Sequence, residues 1–126
     1  MPETISIAFD GLTVQAQLND SPCARKILDA LPVASRVNTW GEEIYFPIGL
    51  ALEASDAARV RMAVGELAYW PPGRALCIFF GRTPASDADG EPRAASEVEP
   101  IGRIVGPTDA LKEMADGRSV VVSAGS

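Results

Sequence analysis

Hydrophobic and polar positions alternate twice at the start of the chain. Ile5, Ile7 and Phe9 are spaced by Ser6 and Ala8, and Leu12, Val14, Ala16 and Leu18 are spaced by Thr13, Gln15 and Gln17. A period of two marks half-buried strands, and the Asp-Gly pair at positions 10 and 11 is a turn signal, so an opening hairpin is predicted. The period then changes. Ala24, Ile27, Leu28 and Leu31 recur at helical spacing, with Arg25, Lys26 and Asp29 on the opposite side. Ser21 is placed to cap this helix, Pro22 suits its first position, and Pro32 ends it. Residues 33–38 alternate weakly, Trp40 and Gly41 form a turn, and Glu43–Pro47 reads as a strand. Residues 50–62 support two readings: a short helix beginning at 53–58 with Ser55 or Asp56 as cap, or a loop.

The densest pattern lies at residues 65–84, GELAYWPPGRALCIFFGRTP, which hold half of the chain's eight aromatics. Residues 67–70 are short and aromatic, as strands are. Pro71 and Pro72 cannot donate to a ladder, so the strand stops there, and Gly73 permits a tight turn. Residues 75–80 then form an unbroken apolar run of strand length, buried on both faces or part of a closed barrel. Residues 85–99 are polar, acidic and small, and predict an exposed, mobile loop. Asp87, Asp89 and Glu91 alternate around Gly90, but the full ligand set of a calcium loop is missing. Residues 101–105 form a strand closed by Gly106 and Pro107. Thr108 is placed to cap a helix over 109–115, with Leu111, Met114 and Ala115 inward and Gly117 as its stop. Residues 119–123 are the last strand.

Composition narrows the function. The length, 126 residues with 47% hydrophobic positions, suits one domain over 1–126 with a single core. The net charge of −6 argues against nucleic acid, which requires a basic surface. The chain has no histidine, which removes His-dependent triads and the commonest metal ligand. Cys23 and Cys77 fit no metal spacing and read as reduced, buried and unreactive thiols. Neither a signal peptide nor a membrane-length apolar run is visible, so a soluble cytoplasmic protein with no membrane partner is expected. Glu42 and Glu43 are neighbours on a strand, face opposite ways, and read as solvated charges.

The phrase AYWPPG followed by ALCIFFG and TP resembles small prokaryotic proteins of cyclophilin-like fold. Glu43–Phe46, with Trp40 and Gly41 before it, looks like that family's E-x-Y-F strand, and residues 101–123 look like its ending of strand, short helix and closing strand. The resemblance covers residues 3–123. It implies a closed antiparallel β-barrel of about eight strands with two short capping α-helices. Cyclophilins isomerise X-Pro bonds, against an uncatalysed barrier of about 18–20 kcal/mol. They use an arginine that hydrogen-bonds near the prolyl nitrogen, beside a phenylalanine, a tryptophan and a histidine. On the matching strand Phe46 stands where the arginine would be, and the histidine and the loop tryptophan have no counterpart. Arg36, Arg74 and Arg82 are the nearest substitutes, with Arg74, just after the Pro-Pro-Gly corner, the one catalytic candidate.

The function expected is therefore a ligand- or peptide-binding barrel lacking the isomerase arginine. Its groove is lined by Tyr45, Phe46, Tyr69, Trp70 and Phe80, with Arg74 beside it, and takes a small molecule or a proline-containing peptide. No cofactor or metal is implied. The alternatives are a weak or altered prolyl isomerase using Arg74, and a structural subunit that buries the aromatic patch at an oligomer interface.

Overall fold

The structure, a computed structural model, describes residues 3–125. The opening hairpin forms as the alternation requires: β1 (Glu3–Phe9) pairs with β2 (Leu12–Leu18), and the inward Ile5, Ile7, Phe9, Ala16 and Leu18 are all buried. Helix α1 (Pro22–Ala30) begins where Ser21 Oγ accepts from Ala24 N at 3.2 Å, and buries Cys23, Ala24 and Ile27. It ends at Leu31, one residue before Pro32, where the backbone is already extended. Next come β3 (Val33–Arg36), β4 (Asn38–Thr39), β5 (Glu43–Pro47), β6 (Arg59–Arg61) and β7 (Glu66–Trp70). A 3₁₀ turn over Pro71–Gly73 leads into β8 (Ala75–Phe79), then β9 (Arg93–Val105), a second 3₁₀ turn over Asp109–Glu113, and β10 (Ser119–Ala124).

All pairings are antiparallel, in the order β3-β10-β1-β2-β9-β7-β8-β5-β4, with β6 paired to β9 off this path. The two edge strands, β3 and β4, are neighbours in the chain, separated by Val37 alone. The sheet therefore rolls back on itself around an apolar interior. The expected closed barrel is nevertheless corrected: the ladder has a seam. Val37 N–H donates to Arg118 O at 2.9 Å, and Val37 O accepts from Gly117 N at 2.8 Å. Thr39 N–H and Oγ1–H both donate to Asp116 Oδ1 at 2.7 Å. Backbone groups at the seam are thus held by the 116–118 turn rather than by the opposite edge.

Two further expectations change, and one left open is decided. The region 109–115 forms a 3₁₀ turn rather than an α-helix; Thr108 makes no side-chain cap bond, and Ala115 is exposed while Leu111 is buried. Of the two readings of residues 50–62, the loop holds over 50–58, and β6 follows it. Tyr69 Oη fixes this loop by donating to Leu50 O and accepting from Leu52 N, and Glu99 fixes it by accepting from Ser55 N and Oγ. Finally, the polar stretch expected to be loop as far as Pro100 is strand from Arg93 onward.

That last difference builds the second half of the molecule. From Gly102 onward β9 pairs with β2 and with the start of β7. At Ile101 the β7 register slips, so that Leu67 faces Gly102 and Ala68 faces Pro100. Pro100 has no N–H, and such a bulge bends the strand. The residues before it, Arg93 to Val98, fold over the outer face of the sheet and pair with β6. They enclose a small outer cluster of Met62, Ala68, Cys77, Phe79, Ala94 and Val98, with Tyr45 and Trp70 at its rim.

Candidate functional site

The rim of the outer cluster holds an apolar slot of about 170 Å³, lined by Trp40, Glu43, Tyr45, Trp70, Ala94, Ala95 and Val98. Each wall follows from local sequence. Glu43 and Tyr45 are two apart on β5 and so share a face, as do Ala68 and Trp70 on β7. Trp40 and Glu43 are the first and last residues of a tight turn closed by Trp40 N to Glu43 O at 2.9 Å and Glu43 N to Trp40 O at 3.2 Å. Gly41 makes that turn possible: its φ is +62°, and a Cβ there would lie 2.9 Å from Arg82 O and Thr83 Cα. Trp70 rests on Gly73, where a Cβ would come within 2.6 Å of the indole ring. Its Nε1–H donates to Ser96 Oγ at 2.7 Å. The Tyr45 and Trp70 rings meet edge to face, with centroids 6.1 Å apart and planes at 76°.

Glu43 is the one ionisable carboxyl in this lining, and it is 6% exposed. Burial pushes it up to about 7 from its ordinary 4.5, while a hydrogen bond with the Cys77 thiol acts in the opposite sense. Cys77, buried against Glu43, is raised well above the ordinary thiol value, first by burial and then by the carboxyl. Cys23, on α1 in the interior cluster, is raised to about 11, chiefly by burial, with Glu99 adding to the shift and Lys26 opposing it. Both thiols are free and buried. The neighbouring Glu42 behaves as expected of a surface acid: it accepts from Arg82 N at 3.2 Å and lies 4.0 Å from Lys112 Nζ. The reading of Glu43 as a solvated charge is corrected.

The structure divides the residues expected to line one groove. Tyr45 and Trp70 line the slot. Phe46, Tyr69 and Phe80 lie in the rolled interior, on the other face of the same strands, and Phe79 rather than Phe80 belongs to the outer cluster. Arg74 sits at the corner with φ 48° and is exposed; its carbonyl accepts from Ile48 N at 2.9 Å, and it is not part of the slot lining. Sequence reasoning missed Trp40, Glu43 and the Ala94–Val98 wall. The i, i+2 relation of Glu43 to Tyr45 was the available signal.

A larger, open cleft of about 960 Å³ lies along β6, where Arg59, Arg61 and Arg103 face Glu66, Asp89 and Glu91. Arg59 is paired with Glu66, and Arg61 lies 3.8 Å from Asp89. Mutual neutralisation of its charges makes this cleft a weaker recognition site than the apolar slot with its perturbed carboxyl. Both aspartates of the 85–92 loop meet arginines, Asp89 as above and Asp87 reaching Arg93 at 2.7 Å. Among the described residues, no three His, Cys, Asp or Glu side chains gather to hold a metal ion, and no helix is long and apolar enough to cross a membrane.

These features define a small antiparallel β-domain with an aromatic slot on the outer face of a rolled sheet. The chain belongs to the cyclophilin-like family, whose model matches residues 3–123. It is similar to the hypothetical protein AF2241 from Archaeoglobus fulgidus, known from a solution structure, at 42% identity over 98% of this chain and 95% of that one, with a TM-score of 0.84. No curated protein matches it.

Proposed function

We propose that this cyclophilin-like domain is a binding module whose slot takes a compact group from a small molecule or a proline-containing peptide, without isomerising it. The observation that carries this reading is the slot itself, a half-open, mostly apolar space walled by Trp40, Tyr45 and Trp70 beside one buried carboxyl. Pockets of this kind, mostly apolar with few polar groups, are the usual form of ligand sites.

Placed donors that stabilise a twisted amide are what an isomerase needs. The slot lining contains no arginine, and Phe46, at the place where the resemblance puts that arginine, is fully buried in the interior. Exchange NMR on an Ala-Pro peptide tests the reading. The expected result is unchanged cis/trans exchange together with shifts of the Trp40 and Trp70 indole signals. Catalysed exchange that disappears in Arg74→Ala would establish the altered isomerase instead.

A further inference from the structure

Within that reading, we infer that the slot recognises a cation, an alkylammonium or N-methylated ammonium group, seated among Trp40, Tyr45 and Trp70 and paired with the Glu43 carboxylate. The proposal rests on the binding reading above but makes a narrower claim about the chemistry of the occupant.

Four observations converge on it. First, both of the chain's tryptophans and one of its two tyrosines line this one slot. Aromatic rings attract cations through their negative faces, and tryptophan does so best. Second, the Tyr45 and Trp70 rings pack edge to face at 76°, which holds both rings in place and gives the slot a corner of two differently oriented aromatic surfaces. Third, the carboxyl at the slot has no protein cation. The chain's ion pairs among the described residues use Glu66, Asp89, Asp87 and Glu42, and none uses Glu43. Fourth, the rest of the lining, Ala94, Ala95 and Val98, carries no side-chain donor that would compete for the carboxylate. The buried carboxyl meets the neutral Cys77 thiol, a weak donor, and no cation, so its charged form is poorly compensated; an incoming ammonium reduces that cost while its methyl groups cover the rings.

The chemistry also explains the small residues. Ala94 and Ala95 leave the space that larger side chains on β9 would fill, and about 170 Å³ suits a compact, branched headgroup rather than an extended one.

The two tryptophans make the test direct, because indole fluorescence reports this slot and no other. At pH 8 and constant ionic strength, the protein is titrated with tetramethylammonium and, separately, with neopentyl alcohol, a neutral group of similar shape. Tetramethylammonium should bind about tenfold more tightly or better. Glu43→Gln should abolish that preference, with the loss falling on the cation far more than on the alcohol. Tyr45→Leu should weaken the cation more than the alcohol, and serves as the second variant if Glu43→Gln does not fold. Equal or tighter binding of the alcohol to the parent protein would overturn the cation proposal and leave the binding module standing. Binding of neither, with no response to proline peptides, would overturn both.

Discussion

The strands β5, β7 and β8 carry two different materials on their two faces. Inward they present Ile44, Phe46, Leu67, Tyr69, Leu76 and Ile78, every one of them with no exposed surface. Outward the same strands present Glu43, Tyr45, Ala68, Trp70, Cys77 and Phe79, a mixture of one acid, one thiol, two half-buried rings, one buried ring and a methyl group. The inner face has one polar tip, the Tyr69 hydroxyl, and it is hydrogen-bonded to the loop that crosses it. The outer face keeps a space and a titratable carboxyl. Alternation along a strand lets one backbone support both, because residues one apart answer to different neighbours. Stability is concentrated on one side and chemistry on the other.

The comparison breaks most visibly in the interior. Phe46→Ala should destabilise the fold by about 3–5 kcal/mol, the usual cost of removing a fully buried aromatic side chain. Tyr45→Ala, one position away on the other face, should cost about 1 kcal/mol and remove slot binding. Urea denaturation of the pair measures this; equal losses would show that the two faces are not distinct.

Glu43→Gln sharpens the contrast through pH. In the folded protein the Glu43 carboxyl is raised to about 7, against an ordinary 4.5. Between those values the folded state holds a proton that the unfolded chain has released, so this group's stability contribution is complete below 4.5 and is lost as pH rises through about 7. Glutamine has no such dependence. The variant should therefore gain on its parent as pH rises across this window, by on the order of 3 kcal/mol at pH 8. Parallel pH profiles for the two proteins in urea melts would place the Glu43 carboxyl in water after all.

A smaller effect than that of Phe46→Ala or Glu43→Gln should come from the corner. In Gly73→Ala the new methyl group occupies space held by the Trp70 ring, which must tilt. A cost of about 1–3 kcal/mol is expected, with a shift in tryptophan emission and weaker slot binding. Unchanged emission would mean that Gly73 does not set the ring's position.

What could be read from the residues depended on how local the cause was. The first hairpin, α1 and the run through Trp70, the Pro-Pro-Gly corner and β8 follow from alternation, capping and proline, all of which act within a few positions. The open seam was hidden because its cause lies at Gly117 and Arg118, far along the chain from Val37. The first half of β9 was hidden because Arg93, Ser96 and Glu97 have poor strand propensity and are held by pairing to β6. The error at Glu43 followed from this one. Without β9 laid over the outer face, nothing in the sequence says that the acid two before Tyr45 is covered. Likewise, the aromatics Tyr45, Phe46, Tyr69, Trp70 and Phe80 were gathered into one groove because they cluster in sequence, whereas strand geometry sends them to opposite faces.

The seam at Val37 bears on how this molecule behaves among its neighbours. Unpaired strand edges are templates on which other chains can add, and proteins guard them by keeping them short or hidden. Here the two edges are four and two residues long and belong to consecutive pieces of chain, with β3 lying beside β5. Each therefore screens the other from passing molecules without being bonded to it. A circular permutant whose new ends fell at residue 37 would retain the rest of the hydrogen-bonded ladder and lose this mutual cover, leaving two sticky margins free to recruit a second copy.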